Sequence, residues 1–149
     1  MGLIFELPPE KKGKSNKSIG NKLEEEICQV FGKYGWWSHN MAQGRTGQPA
    51  DIIAVRNDHA VLLDAKHCKG DYFDTRRMEF NQISAMTRWR DANNGYCGFA
   101  LAFDSKPGIV FLVPFEYLHK FFPHRIRFDA LVNHSRVLEE FARGYMHED

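Results

Sequence analysis

The chain has 149 residues, of which 43% are hydrophobic and 26% are charged, and its formal net charge is +1. This balance predicts a globular domain with a core of its own, and it excludes a disordered chain or a protein that binds nucleic acid through an overall positive field. No apolar run reaches the roughly 18 residues that a membrane-spanning helix needs. The N-terminus lacks the order of a secretory signal, and three scattered cysteines are typical of reduced thiols. We therefore expect a cytoplasmic protein with no membrane partner.

The residue pattern along the chain predicts a helix-flanked sheet behind a basic arm. Residues 1–17 combine prolines, glycines and lysines, which indicates a flexible arm, and residues 18–149 are expected to form a single domain. Apolar residues at helical spacing predict a first helix over 18–34. A strand over 36–42, a glycine-rich loop over 43–49 and two strands within 47–67 are expected next. They are followed by a loop over 69–75, a helix over 76–93 and strands over 96–103 and 109–113. A short helix is expected from Pro114, and a final strand or turn with a short helix after Phe128. The predicted fold class is α/β, with a central mixed β-sheet flanked by helices.

The two strands within "GQPADIIAVRNDHAVLLDAKH" carry charges where a sheet favours aliphatic residues. Asn57-Asp58 is a typical two-residue hairpin turn, and with this turn residues whose numbers sum to 115 stand opposite each other. Asp51 then faces Asp64, and strand alternation places Lys66 on the same face. A loop of odd length would break this pairing.

Two facing carboxylates in a half-buried sheet repel each other unless a proton or a cation lies between them. Their oxygens suit Mg²⁺ or Mn²⁺, and a neighbouring lysine would stabilise an anionic phosphate. The alternative is structural, with Asp64 and Lys66 as a surface ion pair and Asp51 at the end of a strand.

Other polar candidates lie on the two long predicted helices. Glu24 and Glu26 fall at opposite edges of the apolar stripe of the first helix, with Glu24 slightly closer to it and in line with Gly20, whereas Glu25 faces solvent. Three glutamates in a row are also typical of a solvated helix start. In the second helix, Gln82 shares a face with apolar residues, so its amide needs a partner, either structural or at a site.

Local basic clusters could contact nucleic acid, although a solvated surface explains any one of them as well. The clusters are Lys11, Lys12, Lys14, Lys17 and Lys22, then Arg76 and Arg77, Arg88 and Arg90, and Arg125 and Arg127. The three tryptophans, Trp36, Trp37 and Trp89, are expected in the core rather than at a base-stacking surface.

The order Gly20-x-x-x-Glu24, Pro49-Ala50-Asp51 and Asp64-Ala65-Lys66 resembles the signature of the PD-(D/E)xK nuclease superfamily, which has the restriction-endonuclease-like fold. Within it, "PADIIAV" and the glycine-rich loop resemble archaeal-type Holliday junction resolvases. The spacing of the two acids, followed by Gln82, resembles RecU-type resolvases. The similarity covers about residues 18 to 104.

This resemblance implies a role for each matching residue. Asp51 and Asp64 would hold a divalent metal, Mg²⁺ or Mn²⁺, with the Ala65 carbonyl as a further ligand. Glu24 would bind a second metal or orient a water at the metal, Lys66 would position the nucleophilic water or offset phosphate charge, and Gln82 would complete the site. The basic residues implied for DNA contact are Lys17, Lys22, Arg45, Arg76 and Arg77.

The function implied is a homodimeric, metal-dependent endonuclease that cuts four-way junctions in branched double-stranded DNA, in a bacterial or phage-infected cell and with recombination proteins as further partners. The sequence departs from the pattern in two ways. Asp64 stands where most members carry glutamate, and 37–49 leaves no room for the RecU stalk. The alternatives are a flap, single-strand or virus-type repair nuclease, and a catalytically weak DNA-binding regulator of recombination.

Overall fold

The computed structural model describes residues 16–41, 48–92 and 95–144, and for residues 16–21 it describes the backbone alone. The helices are α1 (Asn16–Lys33), α2 (Phe80–Asp91), α3 (Phe115–His119), α4 (Phe128–Leu131) and α5 (Leu138–Gly144). The strands are β1 (Trp37–Asn40), β2 (Ile52–Arg56), β3 (His59–Cys68), β4 (Tyr72–Asp74), β5 (Cys97–Phe103), β6 (Val110–Pro114), β7 (Arg125–Arg127) and β8 (Arg136–Val137). Short 3-10 helices occupy Thr75–Arg77 and Val132–His134. Within these ranges no helix is long and apolar enough to cross a membrane.

Six strands form one mixed sheet in the order β1-β2-β3-β5-β6-β8. The pair β3–β5 is parallel and the other pairs are antiparallel, and the parallel connection is made through α2. The predicted mixed sheet flanked by helices is confirmed.

Alternate residues of the sheet serve two separate cores, as strand geometry requires. On one face, Leu63 and its neighbours pack against α1 and α5. On the other face, Leu62 and its neighbours pack against α2, α3 and a second, two-stranded sheet formed by β4 and β7. Asp64 and Lys66 alternate with Leu63 and Ala65, so they belong to the second face.

Two expectations about the segment after β3 are wrong. The segment over 69–75 is not only a loop, because Phe73 is fully buried and pairs with Ile126 in the small sheet. The helix expected over 76–93 is divided, because Met78 is buried with an extended backbone and α2 begins only at Phe80. Both differences arise from burial against distant parts of the chain, which local periodicity does not report.

Other boundaries differ less. Helix α1 begins at Asn16, two residues before its expected start, and residues 1–15 of the predicted arm lie outside the described residues, as do 42–47 of the expected glycine-rich loop. The segment after Phe128 begins with helix α4 before the expected strand and helix. Trp36 is buried at 5% exposure and Trp89 packs against the core, but Trp37 is 62% exposed, which corrects the expectation that it lies in the core.

Candidate active site

The hairpin between β2 and β3 sets the geometry of the candidate site. Asn57 and Asp58 have φ values of 49° and 72°, the left-handed backbone that a tight hairpin turn needs. The strands pair with Ile52 opposite Leu63, which is the register predicted from the turn. Asp51 directly precedes β2, and its N–H donates a hydrogen bond to the Leu63 carbonyl at 3.0 Å. Asp51 therefore lies beside Asp64 at the end of the β2–β3 pairing.

Asp64 is almost completely buried, with 1% of its surface exposed. Burial is the main cause that raises its pKa from 3.8 to about 8; the Lys66 ammonium opposes that rise, and Asp51 adds to it through charge and hydrogen bonding. Lys66 Nζ lies 3.1 Å from Asp64 Oδ2, and the lysine side chain is only 13% exposed. The pair is therefore buried, and it is not the surface ion pair of the structural alternative.

Glu24 reaches the same acids from α1. It is 7% exposed, whereas Glu25 is half-buried and Glu26 is exposed, so Glu24 is the glutamate that belongs to the site. Burial, followed by the charge of Asp51 and a hydrogen bond with it, raises the pKa of Glu24 from 4.5 to about 8, with a further contribution from Asp64. Three carboxyl groups therefore interact at one place.

Two of the buried carboxyl oxygens are poorly satisfied within the described parts of the chain. Glu24 Oε1 has no hydrogen-bond partner there, and Asp64 Oδ2 has the Lys66 ammonium nearby without the angle of a hydrogen bond. Buried oxygens of this kind are costly unless a proton or a cation neutralises them. The site can therefore accept positive charge.

The described residues hold no set of three or more acidic, histidine or cysteine side chains grouped around one point as ligands of an ion. The three acids interact in pairs instead: Asp51 acts on both Glu24 and Asp64, and Asp64 acts on Glu24. This arrangement fits Mg²⁺, which binds through one or two carboxylates and keeps waters or takes phosphate oxygens for its other positions.

Gln82 is buried at the start of α2, and its Oε1 accepts a hydrogen bond from the Glu79 N–H at 3.1 Å. This bond satisfies a backbone donor at the helix start, which is a structural role. The implied part of Gln82 in the chemistry stays a prediction.

The basic residues predicted to contact DNA have different surroundings. Arg76 binds both oxygens of Asp74, at 3.0 and 2.7 Å, and Arg77 donates to the His67 carbonyl at 2.8 Å. Lys22 is exposed. Arg45 and the side chain of Lys17 lie outside the described residues.

A cleft of about 1330 Å³ opens beside these residues. Lys66 and Ala65 line it, whereas Glu24, Asp51 and Asp64 are not among its lining residues. Its other charged or basic lining residues are Lys22, His67, Lys69, Arg77 and Lys106, together with the acids Glu26, Asp74, Glu79 and Asp104. Lys66 lines the cleft and contacts the buried Asp64, so it connects the cleft with the buried acids.

Sequence reasoning missed Asn40. Its side chain interacts with Glu24 and lowers the pKa of that carboxyl group, against the effects that raise it. Asn40 stands opposite Ile52 in the β1–β2 pairing, one position from Asp51. Only the pairing of β1 with β2 could have identified it, because nothing in "WSHN" distinguishes a site residue from a polar strand end.

The fold matches a solved structure, that of Hjc from Archaeoglobus fulgidus, a Holliday junction resolvase from an archaeal hyperthermophile. The TM-score is 0.63 and the identity 14%, and the match covers 83% of this chain and 99% of the resolvase. The two chains share a fold. No family model and no curated protein matches the sequence.

Proposed function

We propose that this chain is a metal-dependent, structure-specific DNA endonuclease of the PD-(D/E)xK superfamily that resolves four-way junctions. The observation that supports it best is the meeting of Glu24 and Asp51 with the buried pair Asp64–Lys66, whose lysine lines an open cleft. These residue types stand in the order of that superfamily, in a fold shared with a Holliday junction resolvase.

The donor set fits a hard divalent cation. Asp51 and Asp64 would hold Mg²⁺ or Mn²⁺, with the Ala65 carbonyl as a further ligand and Glu24 at a second position. Burial first, and the neighbouring carboxylates after it, raise the pKa values of Glu24 and Asp64, and a cation held by these groups would favour their charged forms. When bound, the metal lowers the pKa of a water and stabilises charge on the attacked phosphate.

The protein side chains supply position and charge. Asp51 is held by the Ala65 N–H at 2.8 Å, which fixes the carboxylate at the hairpin. Lys66 projects from the acids into the cleft, where its ammonium would orient the attacking water and offset negative charge on the phosphate. The water oxygen bonds to phosphorus and the bond from phosphorus to the 3′ oxygen breaks, leaving a 3′ hydroxyl and a 5′ phosphate.

Symmetric resolution needs two cuts, so we propose a homodimer that binds branched double-stranded DNA. The segments after residue 108 are candidates for its interface. Recombination proteins are further proposed partners, and a bacterial or phage-infected cell is the setting that this activity suits.

The test is cleavage of end-labelled DNA in Mg²⁺, comparing a four-way junction, a flap, a single strand and a linear duplex. Asp64→Asn is the inactive variant, and Asp129→Asn, an exposed acid on α4, is its matched control. We expect paired symmetric nicks on the junction, lost in Asp64→Asn and kept in Asp129→Asn.

Cleavage of the flap or the single strand alone would support the proposed nuclease chemistry and contradict the proposal that four-way junctions are the substrate. DNA binding without cleavage in either Mg²⁺ or Mn²⁺ would overturn the enzyme and favour a regulator of recombination. Sedimentation equilibrium of the wild-type protein tests the dimer separately, and a monomer with and without DNA would contradict it.

A further inference from the structure

The small sheet of β4 and β7, called here the β4–β7 ribbon, carries an unusual concentration of arginine on one face. Its register places Tyr72 opposite Arg127 and Asp74 opposite Arg125. Between these pairs, Phe73 and Ile126 turn the other way, with 0% and 3% exposure, into the core. The exposed face of the ribbon therefore consists of one tyrosine, one aspartate and two arginines.

The aspartate is paired mainly with a third arginine, although the charge of Arg125 also acts on it. Both oxygens of Asp74 are bound by Arg76 from the following 3-10 helix, and this pairing lowers the pKa of Asp74 to about 2. Arg125 instead lies over the Tyr72 ring, 4.4 Å from its centroid. Arg125 and Arg127 are exposed and form no ion pair with an acid in the described part of the chain. When Arg76 is counted with its partner Asp74, the surface of the ribbon keeps a net charge of two positive units.

The ribbon is held firmly at both ends. The Thr75 hydroxyl and N–H both donate to the His124 carbonyl, at 2.7 and 3.3 Å, and the Phe128 N–H donates to the Asp71 carbonyl at 2.7 Å. With one face packed in the core, the two arginines project from a rigid support. Side chains two residues apart on a strand are separated by roughly 6.7 Å, which is comparable to the distance between neighbouring phosphates of a nucleic-acid strand.

The ribbon continues the cleft of the candidate active site. Tyr72 and Asp74 line that cleft together with Lys66, so a DNA strand leaving Lys66 along it meets the face that carries Arg125 and Arg127. We propose that this face binds the phosphate backbone of a DNA arm outside the site of cleavage. The inference rests on the proposed function, and it adds a binding surface to it.

The test measures DNA affinity as a function of salt, in a chelator so that no cutting occurs. The ribbon variant Arg125→Ala/Arg127→Ala is compared with Arg136→Ala/Arg143→Ala, which removes the same charge from β8 and α5 on the other face of the sheet. Fluorescence anisotropy with a labelled four-way junction and a linear duplex gives the dissociation constant between 50 and 200 mM salt, roughly the range over which such contacts weaken measurably.

Two lost phosphate contacts should reduce the slope of log K against log salt by about 1.8 and weaken binding by about 10- to 60-fold at 0.1 M salt. The control variant should keep the wild-type slope, and Arg125→Lys/Arg127→Lys should keep most of it because a phosphate contact needs the charge. The single-turnover cleavage rate at saturating protein should stay within about twofold of wild type, since the ribbon lies outside the chemistry.

A ribbon variant that binds with the wild-type slope and affinity would overturn the inference while leaving the nuclease proposal intact. So would an equal loss in the control variant, because the effect would then be one of overall charge. A wild-type protein that binds neither the four-way junction nor the linear duplex would overturn the proposed function and this inference together. Thermal unfolding of each variant, and the lysine variant in particular, separates a lost contact from a lost fold.

Discussion

Ala65 donates its backbone N–H to Asp51 Oδ2 at 2.8 Å, across the two arms of the hairpin. Ala65 stands between Asp64 and Lys66 on β3, and Asp51 directly precedes β2. A carboxylate that accepts a backbone hydrogen bond keeps its position without help from a ligand. The fold itself therefore fixes one acid of the site beside the other.

We expect Asp51→Asn to reduce DNA cleavage by more than about 100-fold, since even the outer partners of metal ligands cost 10- to 100-fold when removed. The asparagine retains an oxygen that can accept the Ala65 N–H, so the hairpin should keep its geometry. Cleavage of labelled junction and thermal unfolding measure the two effects. Wild-type cleavage in this variant would remove Asp51 from the chemistry.

The raised pKa values of Glu24 and Asp64 predict that the metal-free protein loses stability as pH rises. The ordinary pKa is 4.5 for Glu24 and 3.8 for Asp64, and folding raises each of them to about 8. Between these pH values the folded state holds protons that the unfolded state has released. The stabilising contribution is complete below about pH 4 and is lost by pH 8. Urea unfolding between pH 5 and 8.5 with a chelator measures this fall, and Mg²⁺ at high pH should oppose it.

Glu24→Gln should flatten that pH dependence, because the amide carries no charge at any pH. Glu140→Gln, an exposed residue of α5, is the matched control and should leave the dependence unchanged. Equal behaviour of the two variants would contradict the coupling of Glu24 to the buried acids.

Lys66→Met should abolish most cleavage, because its ammonium supplies most of the positive charge at the buried acids. DNA binding should stay within a few-fold of wild type, because the same ammonium makes only one phosphate contact. The apparent pKa of Asp64 should rise further, since the Lys66 charge lowers it. Lys120→Met, at the exposed end of α3, serves as the control. Single-turnover rates and anisotropy separate the two effects, and a loss of binding alone would contradict the assignment.

Gly98→Ala should destabilise the domain by at least about 1–3 kcal/mol, the usual cost of forcing atoms into a packed core. A Cβ at Gly98 would lie 2.2 Å from the Val113 carbonyl oxygen, within the β5–β6 pairing. Gly32→Ala in α1 is the matched substitution, because nothing lies within 4 Å of its Cβ, and alanine there should stabilise the helix by about 0.5–1 kcal/mol. Urea unfolding measures the free energy of unfolding of both variants. Equal values would contradict the close approach of Gly98 to the Val113 carbonyl.

The hairpin and its charges could be predicted from the sequence because their causes are local. A two-residue turn at Asn57-Asp58 determines which residues face each other, and strand alternation then assigns Asp64 and Lys66 to one face. The mixed sheet follows equally from the order of apolar patterns. Each of these features depends on residues close together in the chain.

The tertiary structure decided what depends on distant partners. Helical spacing favoured Glu24 over Glu26 only slightly, and the packing of α1 on the sheet is what buries Glu24 beside Asp51. Burial likewise gave Asp64 and Lys66 their low-dielectric surroundings. The β4–β7 ribbon joins segments far apart in sequence, so its second strand had no local signal. The sequence identified Arg125 and Arg127 only as one basic cluster among several, and the pairing of β7 with β4 places them beside the cleft. Contacts between residues far apart in the chain depend on how the whole core packs, and no short segment of the sequence contains that information.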